Sequence, residues 1–452
     1  METFEIPANL LGDAGLAKVR AWLEQNIGGE IGEFRRQPRW RPMYFVDVVR
    51  DGEVLPLLIR GDRPDVPLIF PLEHEMLTQR LIQECGVAAP KIYGWCDDPR
   101  CIIMERVPGV PHFDGVSDPD RKAVMHDYMR LLADLHRLPV EPFKAAGVHH
   151  AATPDEAHLI GQRRFETIYR ATKKRPDPFL EFVLGWLKRN PLKRSYREAV
   201  VCWDSGQFHQ LDGKLVGFVD LEIAHVGDPM LDLAGFRMRD TVLGFGDFNE
   251  LYAVYEDYTG EKVDLEAIKH HHLFFTMANA LSFHTALADP APGSDYMTNL
   301  QWVNETNRFA LEALAEYLDL PEVAMPEPEA TAASPQIAHL VRFLRNVHTD
   351  NEILAHELRS MFRLSRHIQR WDEVGRAVVN ANLDDMAVLL GRRPETWQDG
   401  EASLEAYVLA DNGAHDLDLI QLFNRICQRA QSLNGPPGSP IARHNPIQRF
   451  GR

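Results

Sequence analysis

Residues 202–222 read CWDSGQFHQLDGKLVGFVDLE. Asp212-Gly213 is a strong signal for a two-residue type I′ turn, which needs positive φ at both central positions. A β-hairpin is therefore expected, with Leu211 paired to Lys214. Counting outward places Ser205 opposite Asp220, so Asp204 and Asp220 meet at the open end. Two carboxylates there repel unless a cation lies between them. Magnesium with nucleotide phosphate answers that need, because it takes one or two carboxylates plus phosphate oxygens. On spacing alone, two solvated loop aspartates are an equal alternative. The neighbouring residues weigh against it. Phe218 and Val219 bury a strand leading into Asp220, and GDPMLDLAG (227–235) adds Asp228 and Asp232 at a turn and helix start.

The run from Asp204 through FVDLE to HVGDPMLDLA resembles the aminoglycoside phosphotransferase/choline kinase-like family, and LADLHRLPV (132–140) looks like another family segment. The resemblance covers roughly residues 25–318. It implies an α+β, bilobal protein-kinase-like fold with a small β-rich N-lobe and a mostly helical C-lobe. It implies ATP and Mg²⁺ as cofactors and phosphorylation of a hydroxyl on a small molecule. Asp204 then orients the hydroxyl and accepts its proton, and Asp220 holds the metal. Two positions depart from the family pattern. The family's loop histidine is Cys202, and its metal-binding asparagine is absent. Counting five from Asp204 gives His209, a poor magnesium ligand because Mg²⁺ prefers oxygen. Anchoring on the turn instead gives Gln207, preceded by Gly206, and Gln keeps the amide oxygen. Gln207 is preferred. Glu222 can approach the metal, and Asp228 can cap the next helix or brace the loop.

In such a fold a strand cation holds the phosphates and pairs with a helix glutamate. Arg60 ends VLPLLIR, and Glu75 sits on the following helix, with Glu73 as its competitor. The plain alternatives are a strand-end surface arginine and a solvated glutamate. Arg39 and Arg41 lie in QPRWRP (37–42), where they cover phosphates, recruit an anionic substrate or stay solvated. MERV (104–107), with Glu105 and Val107, is the expected hinge, whose backbone would meet adenine. There is no G-x-G-x-x-G; Gly28, Gly29 and Gly32 read as a helix stop. His270, His271 and His272 lack metal-site spacing and are expected along a helix, one or two facing the core.

These residues need elements to position them. A helical segment is expected over 1–29, then a lobe over 30–109 reading strand–strand–strand–helix–strand. Asp51-Gly52 signals its hairpin, and Leu72, Met76, Leu77, Leu81, Ile82 and Cys85 fall on one face of its helix. Residues 110–320 read as the C-lobe, starting with a helix capped by Ser117. PEVAMPEPEATAASPQ (321–336) reads as a linker, 337–433 as an extra C-terminal helical domain, and 434–452 as a flexible tail. The 452 residues exceed one compact core, and the net charge of −17 argues against nucleic-acid binding. Five sparse cysteines, no apolar run of membrane length and no signal-peptide pattern point to the cytoplasm. A homodimer through the C-terminal helices is one expectation. A metabolic alcohol or hydroxyacyl-CoA is the favoured substrate class over an aminoglycoside, and a pseudokinase-like nucleotide-binding scaffold is the rival.

Overall fold

The structure, a computed structural model, describes residues 11–37, 39, 41–63, 68–192, 197–291, 294–316, 318, 320–434 and 445–450. The first ten residues of the expected N-terminal segment lie outside the described residues. The chain opens with α1 (Asp13–Asn26), β1 (Glu30–Ile31), β2 (Arg35–Arg36), β3 (Met43–Arg50), β4 (Glu53–Gly61), α2 (Leu72–Glu84), β5 (Ile92–Asp97) and β6 (Arg100–Glu105). There follow α3 (Asp118–His136), α4 (Glu141–Ala145), α5 (Ile160–Thr172), α6 (Pro178–Arg189), β7 (Ala199–Val201), β8 (Phe208–Leu211), β9 (Lys214–Phe218), β10 (His225–Gly227) and α7 (Met230–Leu243). The rest is helical: α8 (Phe248–Thr259), α9 (Leu265–Ala288), α10 (Tyr296–Leu314), α11 (Ser334–Asn346), α12 (Glu352–Arg370), α13 (Arg376–Leu390), α14 (Trp397–Ala410) and α15 (Asp416–Ser432).

The chain divides into two compact units. The first comprises Met1–Arg164, Ser195–Phe236 and Phe245–Asp264; the second comprises Phe165–Arg194, Arg237–Gly244 and Leu265–Arg452. None of the breaks between them falls at 109/110 or at 320/321.

In the first unit the main sheet runs β1-β3-β4-β6-β5, with β2 also on β3. Strand β5 is additional to the expected strands, and it is irregular, with a register shift between Ile92 and Gly94. A Cβ at Gly94 would stand 2.4 Å from the Trp22 ring of α1. Helix α1 packs Val19 and Leu23 onto Val46, Val48, Leu57, Ile59 and Ile103 of the sheet. The β3–β4 turn has Asp51 at φ 55° and Gly52 at φ 81°, with Arg50 opposite Glu53, as a type I′ turn requires.

Helix α2 corrects the expected apolar face. It buries Leu72, His74, Glu75, Thr78, Gln79 and Ile82, while Met76 and Leu77 are half-buried and Cys85 is exposed. Each of its buried polar side chains has a partner for at least one atom. Gln79 Nε2 donates to the Pro90 carbonyl at 2.7 Å, and Glu75 serves the site described below. His74 joins a cluster of rings. Its centroid lies 4.5 Å from that of Phe70 and 4.7 Å from that of His149, and His225 lies 5.7 Å from Phe70. The Arg164 guanidinium covers Phe70 at 4.8 Å.

Burial, and then neighbouring imidazoles, lower the His74 pKa to about 3, and burial lowers that of His225 to about 4. Below an unfolded pKa near 6.5 the unfolded chain takes up protons that these folded rings refuse, so stability falls as pH drops from about 6.5 towards 4. Each ring is expected to remove about 2 kcal/mol between roughly pH 7.5 and 5. Thermal melts at the two pH values, on the parent and on a His74→Phe variant, measure it; an equal pH dependence in both would contradict it.

In the second unit α9 is buried on most of its circumference, from Ala267 to His284. Consequently His270, His271 and His272 are all buried, rather than one or two of them. A helix apolar all round has no solvent face to offer the third. The 321–336 stretch is not a free linker. Asn424 and Gln428 both donate to the Pro321 carbonyl, Glu329 N–H donates to the Glu373 carbonyl, and Ser334 donates to Asp372. The expected flexible tail is also corrected over 445–450. Asn445 N–H donates to the Thr241 carbonyl, and Phe450 is buried under the Arg237 guanidinium at 4.3 Å.

Candidate active site

The site lies in the first unit and is built on β4, α2 and the loops around the β8–β9 hairpin. Arg60 stands on β4, an inner strand flanked by β3 and β6. Its Nε lies 2.8 Å from Glu75 Oε1, and its Nη2 lies 2.8 Å from Asp220 Oδ1 and 3.0 Å from Glu222 Oε2. Arg41 Nη2 also reaches Glu222 Oε2, at 3.1 Å. One guanidinium thus holds a helix glutamate and both acids that follow the hairpin. Burial opposes the charge on Arg60, but the three carboxylates outweigh it and raise its pKa. Burial, and then Asp220, push the Glu222 carboxyl up to about 7 against the pull of Arg60 and Arg41.

Of the other expected phosphate-side residues, Arg41 is buried rather than solvated, whereas Arg39 is exposed. Glu73 pairs with Arg100, which leaves Glu75 as the partner of Arg60. At the expected hinge, Glu105 N–H already donates to the Lys91 carbonyl. Val107 lies in the coil beyond β6. That coil is tied to the hairpin, because Val110 and Gln210 exchange both backbone hydrogen bonds. Gly109 permits the approach: at φ 84°, its Cβ would stand 2.2 Å from the Gln210 carbonyl oxygen.

The hairpin turn is as expected, with Asp212 at φ 50°, Gly213 at φ 73° and Leu211 opposite Lys214. The outward count from it is corrected by one residue. A bulge between His209 and Gln210 pairs Phe208 with Phe218, so simple counting to Ser205 and Asp220 fails. Beyond the strands, Val219 N–H donates to the Gln207 carbonyl at 3.1 Å. Gln207 Nε2 donates to Asp204 Oδ2 at 2.6 Å. His209 instead reaches the Pro108 carbonyl, 3.1 Å from its Nδ1.

Two residues here carry backbone strain that no sequence pattern announces. Trp203, just before Asp204, has φ 61°, and Asp220 has φ 59°. A bulky residue at positive φ is held there only by its surroundings, and such strain gathers at functional sites. The brace at Trp203 is Asp232, fully buried on α7. Its carboxylate accepts from the N–H groups of Cys202 and Trp203 and from Ser205 Oγ, and it lies 2.9 Å from His136 Nε2. Tyr255 closes the chain at His136 Nδ1, 2.8 Å away, and Tyr128 Oη accepts from Gly206 N–H. Cys202 Sγ sits 3.4 Å from Asp232 Oδ1; burial, then that carboxylate, raise its thiol pKa, so it is a packed neutral group. Asp228 Oδ1 accepts from Met230 N–H at 3.1 Å, at the start of α7.

The profile of the phosphotransferase enzyme family, APH, matches residues 42–269, half of the chain. The chain belongs to this family. Among curated proteins it is similar to acyl-CoA dehydrogenase family member 11 of Homo sapiens, 23% identical over 186 residues, covering 38% of this chain and 24% of that protein. It is also similar to acyl-CoA dehydrogenase family member 10 of Mus musculus, 23% identical over 222 residues, covering 42% of this chain and 20% of that protein. The chain spans about a quarter of the length of these curated relatives. Among solved structures, choline kinase LicA from Streptococcus pneumoniae matches with TM-score 0.50 and 13% identity, over 68% of this chain and all of that one. The likeness is one of fold, and the fold is kinase-like.

The APH-family site fits a magnesium ion by its donor chemistry. Asp220 and Glu222 present carboxylate oxygens to one Arg60 nitrogen, and both side chains keep partial solvent access, 32% and 26%. Two carboxylates with room for water and phosphate oxygens suit Mg²⁺. Among the described residues no cluster of three or more His, Cys, Asp or Glu could hold a metal. No helix among the described residues is long and apolar enough to cross a membrane.

The bracing role of Asp232, His136, Tyr128 and Ser205 escapes sequence reasoning. The only signals are Asp232 as a further acid in GDPMLDLAG and His136 as part of LADLHRLPV.

Proposed function

We propose that this APH-family chain transfers the γ-phosphoryl group of ATP, with Mg²⁺, to a hydroxyl of a small molecule. The observation that carries the reading is the Arg60 junction, which joins Glu75 of α2 to Asp220 and Glu222 behind the hairpin. Phosphoryl transfer needs positioning and charge neutralisation more than covalent chemistry, so few residues suffice. Arg60, fixed by Glu75, orients the phosphates. Asp220 and Glu222 would hold the metal, which when bound would offset the charge on the phosphate oxygens. Asp204 orients the acceptor hydroxyl and takes its proton; Gln207 Nε2 holds Asp204, and its amide oxygen assists at the metal.

Gln207 against His209 is a direct comparison. Gln207→Ala is expected to lower Mg²⁺-dependent turnover about tenfold or more, because a misplaced reacting group costs up to about a hundredfold. His209→Ala should change it less than about threefold, roughly the effect of a surface substitution. Steady-state kinetics on both variants decides; the reverse order would sink the assignment.

The acceptor is sought with γ-labelled ATP and a panel of hydroxylated small molecules. Hydroxyacyl-CoA comes first, because the curated relatives are named as acyl-CoA dehydrogenase family members. A metabolic alcohol follows, and aminoglycosides serve as the competing class. Label moving to one acceptor supports the proposal. Nucleotide that binds without any transfer would favour a pseudokinase-like scaffold, a reading to which Cys202 in place of histidine lends weight.

A further inference from the structure

A cavity of about 700 Å³ lies wholly within the second unit, among α10, α11, α12 and the loop between the last two. That volume falls within the roughly 300–1,000 Å³ of small-molecule sites. Its apolar lining comes from Val341, Leu344, Leu358 and Phe362. Its charged lining is cationic, Arg345, Arg359, Arg363 and Arg366 with His348 beside them, and Gln301, Thr349 and Asn434 complete the polar lining. No aspartate or glutamate lines it, although the chain as a whole carries a charge of −17.

The spacing concentrates the charge. Arg359, Arg363 and Arg366 stand four and three residues apart on α12, so one helical face presents all three, and like charges so placed repel. Arg363 is partly neutralised, 3.6 Å from Asp295, and it donates to Gln301 and Thr298. Arg366 donates to the Gln369 amide oxygen, at 2.7 Å. Among the described residues no carboxylate pairs with Arg345, Arg359 or Arg366. A solvated surface explains single exposed arginines such as Arg345 and Arg359. It does not explain why a concave, largely apolar wall gathers four of them with only Arg363 paired to an acid. An anion supplies the missing charge, and the apolar lining supplies a seat for its body.

We propose that this cavity binds a small amphiphilic organic anion. Its phosphate or carboxylate group meets Arg345, Arg359 and Arg366, and its apolar body rests on Val341, Leu344, Leu358 and Phe362.

The test is calorimetric titration of the full chain with octyl phosphate, octanoate and inorganic phosphate. The control is the double variant Arg345→Ala/Arg359→Ala, whose two side chains are exposed and so removable without loss of fold. One amphiphile should bind one-to-one, at least about tenfold more tightly than inorganic phosphate. The double variant should lose about tenfold or more, as should added salt, since surface charge contacts are screened. Whichever head group binds more tightly identifies the phosphate or carboxylate source. No saturable binding, unchanged binding in the double variant, or inorganic phosphate binding as well as octyl phosphate would each overturn the proposal. ATP binding is expected to be equal in both proteins, so failure here leaves the phosphotransfer reading separately testable.

Discussion

Asp204→Asn is expected to lower phosphotransfer turnover by about a thousandfold, within the roughly 10²–10⁴ that a positioned base contributes. ATP affinity should stay within about threefold, because the substitution leaves the Arg60 junction intact. The reason lies in how Asp204 is held. The Cys202 carbonyl accepts from Asp204 N–H at 2.8 Å across Trp203, whose φ of 61° turns the chain sharply. Asp232 anchors both N–H groups just before it. Asn fits the same turn and keeps an oxygen for Gln207, so geometry survives while the proton acceptor is gone. Turnover and ATP binding measured on the same preparation separate the two effects. Near-normal turnover would refute the role of Asp204; lost ATP binding would mean that the loop had collapsed.

Arg60→Met carries the second large effect, on stability as well as activity. Glu75 is 2% exposed, and its Oε1 lies 2.8 Å from Arg60 Nε. Removing the cation leaves that carboxylate buried without its charge partner, and it also lets Asp220 and Glu222 repel. Breaking a buried ion pair by one partner costs about 3–5 kcal/mol. Replacing both members by apolar groups is often nearly neutral, so Arg60→Met/Glu75→Met should recover most of the loss. Nucleotide turnover should not recover, because no cation remains on β4 for the phosphates. Urea unfolding monitored by circular dichroism, beside turnover, tests both halves. A single variant as stable as the parent would show that the junction is not structural, and an active double variant would remove Arg60 from the mechanism.

What is legible in the sequence is mostly local. Asp51-Gly52 and Asp212-Gly213 name their turns because two adjacent residues decide a type I′ turn. Ser117 names its helix cap, and its Oγ accepts from Asp120 N–H. What stays hidden depends on partners far away in the chain. The buried face of α2 is polar because Arg60 and the ring cluster claim Glu75 and His74, so apolar periodicity points elsewhere. The register of the hairpin shifts where β9 also meets Ala88. Phe218 N–H donates to the Ala88 carbonyl at 2.9 Å, and a Cβ at Gly217 would stand 2.7 Å from that oxygen. Strands β7 and β10 are three residues each and pair across the whole hairpin, too short for a periodic signal. The acids Asp204, Asp220 and Glu222 and the pair Arg60 and Glu75 are identifiable from residue types, spacing and the family resemblance. That a single guanidinium joins Glu75, Asp220 and Glu222 is a fact of tertiary structure.

The most direct test of the phosphotransferase reading is calorimetric titration of ATP into the purified chain, with and without Mg²⁺, beside Asp220→Ala. Binding that requires Mg²⁺ in the parent and weakens at least about tenfold in the variant is the expected result, as a metal held by one or two carboxylates implies. No ATP binding under either condition, or binding indifferent to both Mg²⁺ and Asp220, would contradict it.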